Sequence, residues 1–326
     1  VEGSGHLDLT ASMNGVASHM SAAEVEARLQ AEEVSDPEGS VAAENLDVSL
    51  HAVVKAVATG LQGTLELSGR QGALYIDPVF VEMPSQPLQL RARFDWLSAG
   101  QRLLLQSFSY SHPGSVQLEG QGHFTLATDT PVRELQLEVQ QAEFPSLYDT
   151  YLQPWLLDSM LADLDTVGQL SGTLRWEQGK LSHVSLDPAR LSVDDREGRF
   201  GLDSVNGRVR WSDTGIPVRS ELAWAGGSVF RVLLGAARVA FDTGRDFVRL
   251  AEAVEIPVLD GALRIDDFQL ASSEETPLLW QVNGLLEPVS LSQLSLALGW
   301  PELAGKLSGV IPDVRYDNGN LEVGGS

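Results

Sequence analysis

Leu88-Gln89-Leu90-Arg91-Ala92-Arg93-Phe94-Asp95-Trp96 is the stretch on which the reading of the fold turns. Every second residue is apolar and those between are Gln, Arg, Arg and Asp, the period of an extended strand with one greasy face and one wet face. Similar runs follow at Val116/Leu118, Phe124/Leu126, Leu135/Leu137/Val139, Leu174/Trp176, Val209/Trp211, Leu222/Trp224 and Leu263/Ile265. Turn signals separate the runs at intervals of about 8 to 12 residues, as in antiparallel meanders. They are Ser98-Ala99-Gly100, Asp129-Thr130-Pro131, Gln178-Gly179, Arg196-Glu197-Gly198, Asp213-Thr214-Gly215, Gly226-Gly227 and Asn318-Gly319. The pattern supplies no crossover helices, which disfavours a parallel βαβ arrangement. The sequence thus predicts a mainly β chain, a long curved antiparallel sheet forming an open groove or trough, with a few short amphipathic helices.

Three segments read as helical. Residues 21–33 begin with Ser21 and Glu24 in capping-box register. Over 145–164, Leu147, Tyr148, Tyr151, Leu152, Trp155, Leu156, Met160 and Leu161 form a broad apolar stripe, with Pro154 kinking it or starting a second helix. The third opens with Ser290 and Gln293, carries Leu291, Leu294 and Leu298, and ends at Gly299 and Pro301. A weak repeat of Leu-x-Gly, short strand and Gly-x-Leu recurs from Leu61, Leu170 and Leu307, suggesting duplicated subdomains in a continuous sheet. The reading is an N-terminal β segment with one short helix over 1–143 and a helix-led β segment over 144–326, continuous with it. Residues 35–40 (SDPEGS) read as an exposed loop. The chain starts at Val1, is strand-like by Leu7 and stops on LEVGGS after an alternating run, so we read it as a piece of something longer.

Composition removes several function classes. With 22 Lys+Arg against 45 Asp+Glu, the net charge is −23, so phosphate backbones are repelled and nucleic acid is not an expected partner. The absence of cysteine excludes disulfides, Cys-ligated metal and thiol nucleophiles, and leaves the redox compartment open. An apolar fraction of 43% is ample for folding. The best apolar run, 229–241, carries Arg231 and Arg238, and no stretch of eighteen apolar residues occurs.

Motifs for chemistry are not found. His6, His19, His51, His112, His123 and His183 do not fall at metal-ligand spacing, so no metal is expected. Phosphate loops, dinucleotide fingerprints and nucleophile elbows do not occur. The acid pairs Asp194-Asp195, Asp266-Asp267 and Glu274-Glu275 could not face each other as a glycosidase pair on a strand, where adjacent residues point to opposite faces, and in a chain with 45 acids they read as solvated turns. We therefore expect no enzyme activity and no cofactor. A carbohydrate site of exposed Trp and acids has no fixed spacing and stays open as a reading.

What carries information is the apolar face, too extensive for three short helices to cover. Composition alone favours a β-sandwich whose two sheets cover each other, the commoner solution. The sharper reading is an open trough that shelters lipid tails, at about 0.8 kcal/mol per shielded methylene. Its candidate lining residues are Leu88, Leu90, Phe94, Trp96, Leu135, Leu137, Leu174, Trp176, Val209, Trp211, Leu222 and Trp224. Roughly ten shielded methylenes would contribute about 8 kcal/mol. For the stripe of Tyr148, Tyr151 and Trp155, a cap over the sheet is favoured over a membrane interface, since no Lys/Arg face accompanies it.

Several segments resemble bacterial AsmA-like proteins, the envelope family that includes TamB, YdbH and YhdP. The resemblance is carried by the Leu-Ser-Gly openings at Leu170 and Leu307, by IPVLDGALRIDDFQL over 256–270, and by PVSLSQLSLALGWPELAGKLSGVIPDVRYDNGNLEVGG from Pro288. The last is similar to the YdbH-type region. The resemblance implies a periplasmic protein, tethered to the inner membrane by a segment outside this chain, whose β-sheet groove leads phospholipid toward the outer membrane or serves outer-membrane maintenance. It implies phospholipid acyl chains as ligands and other envelope proteins at the ends of the groove, with no catalytic residue to carry over. The competing reading is a structural or adhesive β-sandwich that binds protein or carbohydrate through its surface.

Overall fold

Side chains two apart on an extended chain leave the same face, so antiparallel neighbours in register align like with like across a sheet. A computed structural model describes residues 2–16, 19–272, 279–317 and 320–324, and it is mainly β and antiparallel. In chain order the first strands are β1 (Glu2–Val16), β2 (His19–Ser35), β3 (Val41–Val57), β4 (Gly60–Ile76), β5 (Val79–Glu82), β6 (Leu88–Leu97), β7 (Arg102–His112), β8 (Val116–Thr125) and β9 (Val132–Phe144). A π-helical turn (Tyr148–Leu152) and α1 (Gln153–Leu156) follow, then β10 (Leu164–Glu177) and β11 (Lys180–Asp195). Next come β12 (Phe200–Ser212), β13 (Val218–Trp224), β14 (Gly226–Val229), β15 (Val232–Leu234), β16 (Ala237–Thr243), β17 (Phe247–Leu250), β18 (Val254–Val258) and β19 (Gly261–Ala271). The last are β20 (Leu279–Ser290), α2 (Leu291–Leu298), β21 (Lys306–Asp317) and β22 (Asn320–Val323). Two compact units result, one of Val1–Ala162 with Ser171–Leu181, the other of Asp163–Leu170 with Ser182–Ser326.

In the first unit β1, β2, β3, β4, β6, β7, β8 and β9 pair in succession, and β4 pairs β5 through its last residues. The register aligns Leu9, Ala27, Leu50, Leu67, Leu90, Tyr110, Leu118 and Val139 in one row. A second row holds Ala11, Val25, Ala52, Leu65, Ala92, Phe108, Gly120 and Leu137, and a third Met13, Ala23, Val54, Gly63, Phe94, Leu105, Gly122 and Leu135. Leu105 and Phe108 are three apart and would point to opposite faces of a regular strand. Register shifts at Arg93/Phe94 and Leu105/Phe108 correct the phase, an extra residue in β7 bringing both onto the apolar face.

In the second unit β12 pairs β11, β13 and β14, and β13 continues to β16. Strands β18, β19, β20 and β21 follow as a meander. Trp211 stands opposite Val184, Val209 opposite Leu186, and Leu222 between Gly207 and Val239. Trp280 stacks on Tyr316 with ring centroids 5.8 Å apart.

Among the fully buried side chains the largest are Ser115, Ser220 and Ser295, where a two-layer fold would bury Leu and Phe. Within each unit the strands find their apolar contacts chiefly along the sheet.

Three sequence expectations need correction. Residues 21–33 are not helical but part of β2. Ala23, Val25, Ala27, Leu29 and Ala31 alternate and are paired on both sides by β1 and β3, and that ladder outweighs a local capping pattern. Ser21 donates instead to the Asn14 carbonyl. The stripe over 145–164 yields only the π turn and the single turn α1, after which the chain bends to β10. Gly226-Gly227 is not a turn but opens β14; the reversal falls at Phe230 and Arg231, both with positive φ. By contrast α2 forms as expected, closed by Gly299 at φ 69, although Ser290 donates to Asp260 rather than capping the helix. Asn318-Gly319 and Glu274-Glu275 lie outside the described residues.

Candidate functional site

The three rows of the first unit form a continuous apolar band. Eight strands spaced about 4.8 Å and three rows about 7 Å apart make it about 34 Å by 14 Å. It exceeds the roughly 15 Å depth of one bilayer leaflet, so an acyl chain can lie across it. Of the residues chosen from sequence, Leu90, Phe94, Leu135 and Leu137 lie in these rows. Leu88 aligns with Gly69, and Trp96 with Leu61 and Leu103, in the flanking rows of the same face. Leu174 and Trp176 belong to the same unit on β10, whereas Val209, Trp211, Leu222 and Trp224 belong to the second. Leu88 is buried and all the others are half-buried, none fully exposed. The Trp224 indole N–H donates to the Gly235 carbonyl at 3.1 Å, which fixes that ring.

Glycines let large neighbours lie flat in the band. A Cβ on Gly63 would stand 2.6 Å from the Phe94 ring, and one on Gly120 2.7 Å from Leu137 and 2.6 Å from the Gln136 carbonyl oxygen. Phe94 and Leu137 thus fold over bare backbone and smooth the surface. Reading from sequence missed Leu65, Leu67, Phe108 and Tyr110, which complete the rows. The alternation Leu61, Gly63, Leu65, Leu67 was visible, but the glycine hid the strand's apolar face.

The opposite face is charged. Thr10, Glu26, His51, Glu66, Arg91, Ser109, Glu119 and Glu138 form its central row. A depression of about 550 Å³ there is lined by Thr64, Glu66, Arg91, Arg93, Gln121 and Glu138. Another of about 440 Å³ is lined by Glu26, His51 and Glu66. His51 Nε2 is 3.0 Å from Glu24 Oε1, and that hydrogen bond raises the imidazole's pKa, helped by the charges of Glu26 and Glu66.

Near the end of β7 a polar knot ties the helical turn to the apolar face. The Tyr110 and Tyr151 hydroxyls are 2.5 Å apart, and His112 Nδ1 is 2.7 Å from the Tyr151 oxygen. Burial lowers the pKa of His112, and burial with the Tyr110 contact pushes the Tyr151 hydroxyl far up. Tyr148, only 2% exposed, donates to the Leu161 carbonyl at 2.6 Å. The turn is thereby a cap for this part of the face, with Trp155, Leu157 and Met160 facing outward.

The acid pair at 194–195 splits between environments, as adjacent strand residues do. Asp195 accepts from the Arg199 guanidinium at 2.6 Å and from its backbone N–H at 2.8 Å, which holds the carboxyl at about 2. Asp194 is pushed upward by partial burial and by Asp203 and Asp165. Asp195 is thus a buried, salt-bridged acid and Asp194 an acid with Asp203 and Asp165 as charged neighbours, and the pair ends strand β11 rather than forming the solvated turn expected from sequence. No protein-family model, curated protein or solved structure matches the chain.

Proposed function

We propose that this chain is a non-enzymatic, lipid-binding segment of a periplasmic AsmA-like protein, holding phospholipid acyl chains against its apolar sheet face. In this reading the parent protein is tethered to the inner membrane by a segment outside the chain, and moves phospholipid toward the outer membrane or maintains that membrane. Other envelope proteins extend the path at the ends of the groove. The observation that carries it is the band of three apolar rows running unbroken across eight strands and left half-exposed.

Magnitudes favour passage over storage. A sheet face shelters about half of each methylene, so two tails of about fifteen methylenes gain roughly 12 kcal/mol relative to water. The bilayer shelters them fully, so lipid on the band stays in ready exchange with membrane. Successive rows offer near-equal burial, and no step along them meets a large barrier.

A second reading, a surface that binds a polar or carbohydrate ligand, is favoured by one observation: the depression of about 550 Å³ lies over the charged face. Organic extraction and mass spectrometry of the chain purified from a diderm periplasm, beside an equally acidic control, separates the two. Stoichiometric phospholipid supports the first reading; an empty, folded chain supports the second.

A further inference from the structure

We propose that Glu24, Glu26 and His51 form a binding site for a divalent transition metal of the zinc type on the charged face of the first unit. Glu24 and Glu26 are two apart on β2 and share a face, and β3 places His51 directly opposite Glu26. One ligand atom from each lies within 4.8 Å of the others. Zinc holds nitrogen and oxygen ligands at about 2.0–2.2 Å, which puts neighbouring ligand atoms roughly 3.3 Å apart for a tetrahedral arrangement. The Glu24 to His51 distance of 3.0 Å is already near that value, and small rotations of the exposed Glu26 side chain bring in the third.

The imidazole decides the class of metal. Magnesium and calcium take oxygen ligands, whereas a nitrogen beside two carboxylates suits zinc and its transition-metal neighbours. Glu66 stands opposite His51 on its other side and lines the depression of about 440 Å³ together with Glu26 and His51. That space admits water or a further carboxylate at an open coordination position. Among the described residues no other set of three His, Asp or Glu side chains converges so closely. Sequence spacing gives no hint of the set, because only the β2–β3 register unites it. The proposal is independent of the lipid reading, which concerns the opposite face.

The test is isothermal titration of ZnCl2 into the tag-free, chelator-stripped chain at neutral pH, beside His51→Gln and Glu26→Gln, with circular dichroism confirming the fold. We expect one saturable site, weakened at least tenfold in each variant and not displaced by millimolar Mg²⁺. No saturable binding, or binding undiminished in both variants, overturns the proposal. Exposure of these side chains keeps the variants foldable, and the wild-type titration alone suffices for the first of those outcomes.

Discussion

The Tyr151 hydroxyl sits 2.5 Å from that of Tyr110 and 2.7 Å from His112 Nδ1, so one side chain fastens the helical turn to β7. Tyr110 lies in the row of Leu67, Leu90 and Leu118, which makes this the point where cap and apolar band meet. Tyr151→Phe keeps the ring and removes the shared oxygen, leaving Tyr110 and His112 short of a partner. We expect a loss of about 1–3 kcal/mol, the cost of unsatisfied buried polar groups, measured by urea unfolding. Amide exchange over 148–162 should accelerate more than exchange in β2 and β3.

Asp195 gives a pH signature. Its carboxyl, hydrogen-bonded by Arg199, has a pKa of about 2 in the folded chain, against near 4 when unfolded. A depressed folded value stabilises fully above the unfolded pKa, and the contribution is lost as pH falls toward 2. Asp195→Asn should therefore be less stable than the wild type at pH 7, with the gap closing between about pH 4 and 2. Thermal unfolding of both proteins across that range checks it.

Glycines of the band should resist substitution where backbone is close. Gly120→Val brings a Cβ to 2.6 Å from the Gln136 carbonyl and against Leu137, and we expect a cost of about 1–3 kcal/mol from overpacking. Gly309→Ala, whose Cβ would meet nothing within 4 Å, should change stability by less than about 0.5 kcal/mol. Denaturant midpoints of the two variants provide the comparison.

The extra residue in β7 predicts a phase effect. Deleting Gln106 leaves Leu105 and Phe108 two apart, which makes β7 pair one-to-one with β6 and β8 and keeps both residues on the apolar face. Leu103, Leu105, Phe108 and Tyr110 then follow one another at a spacing of two and stay on that face. Substituting Gln106→Ala instead removes only the hydrogen bond to Asp95. The deletion should therefore leave the chain folded, with a thermal midpoint close to that of the substitution by circular dichroism, and a collapse of the midpoint would contradict the bulge assignment.

The strand alternation at Leu88 to Trp96 was legible because its period, its register partners and its burial agree. Residues 21–33 were misread since Ser21 and Glu24 satisfy a local rule that pairing with two neighbouring strands overrides. The π turn was shorter than its apolar stripe because Tyr148 and Tyr151 are anchored by tertiary hydrogen bonds, not by helix propagation. Of the site, the rows through Leu90, Phe94, Leu135 and Leu137 followed from period-two patterning. Alignment with Leu65, Leu67 and Phe108, and the meeting of Glu24, Glu26 and His51, depend on register between strands, which no single strand encodes.

The most direct test of the acyl-binding face compares phospholipid bound to the wild-type chain and to a Leu90→Asp, Leu137→Asp double variant, both purified from a diderm periplasm and extracted for mass spectrometry. Both positions are half-buried on the apolar face, so two carboxylates there should repel acyl chains while the sheet stays folded. The account predicts near-stoichiometric phospholipid on the wild type and at least a fivefold loss on the folded variant. Equal lipid on both, or none on either, would contradict it.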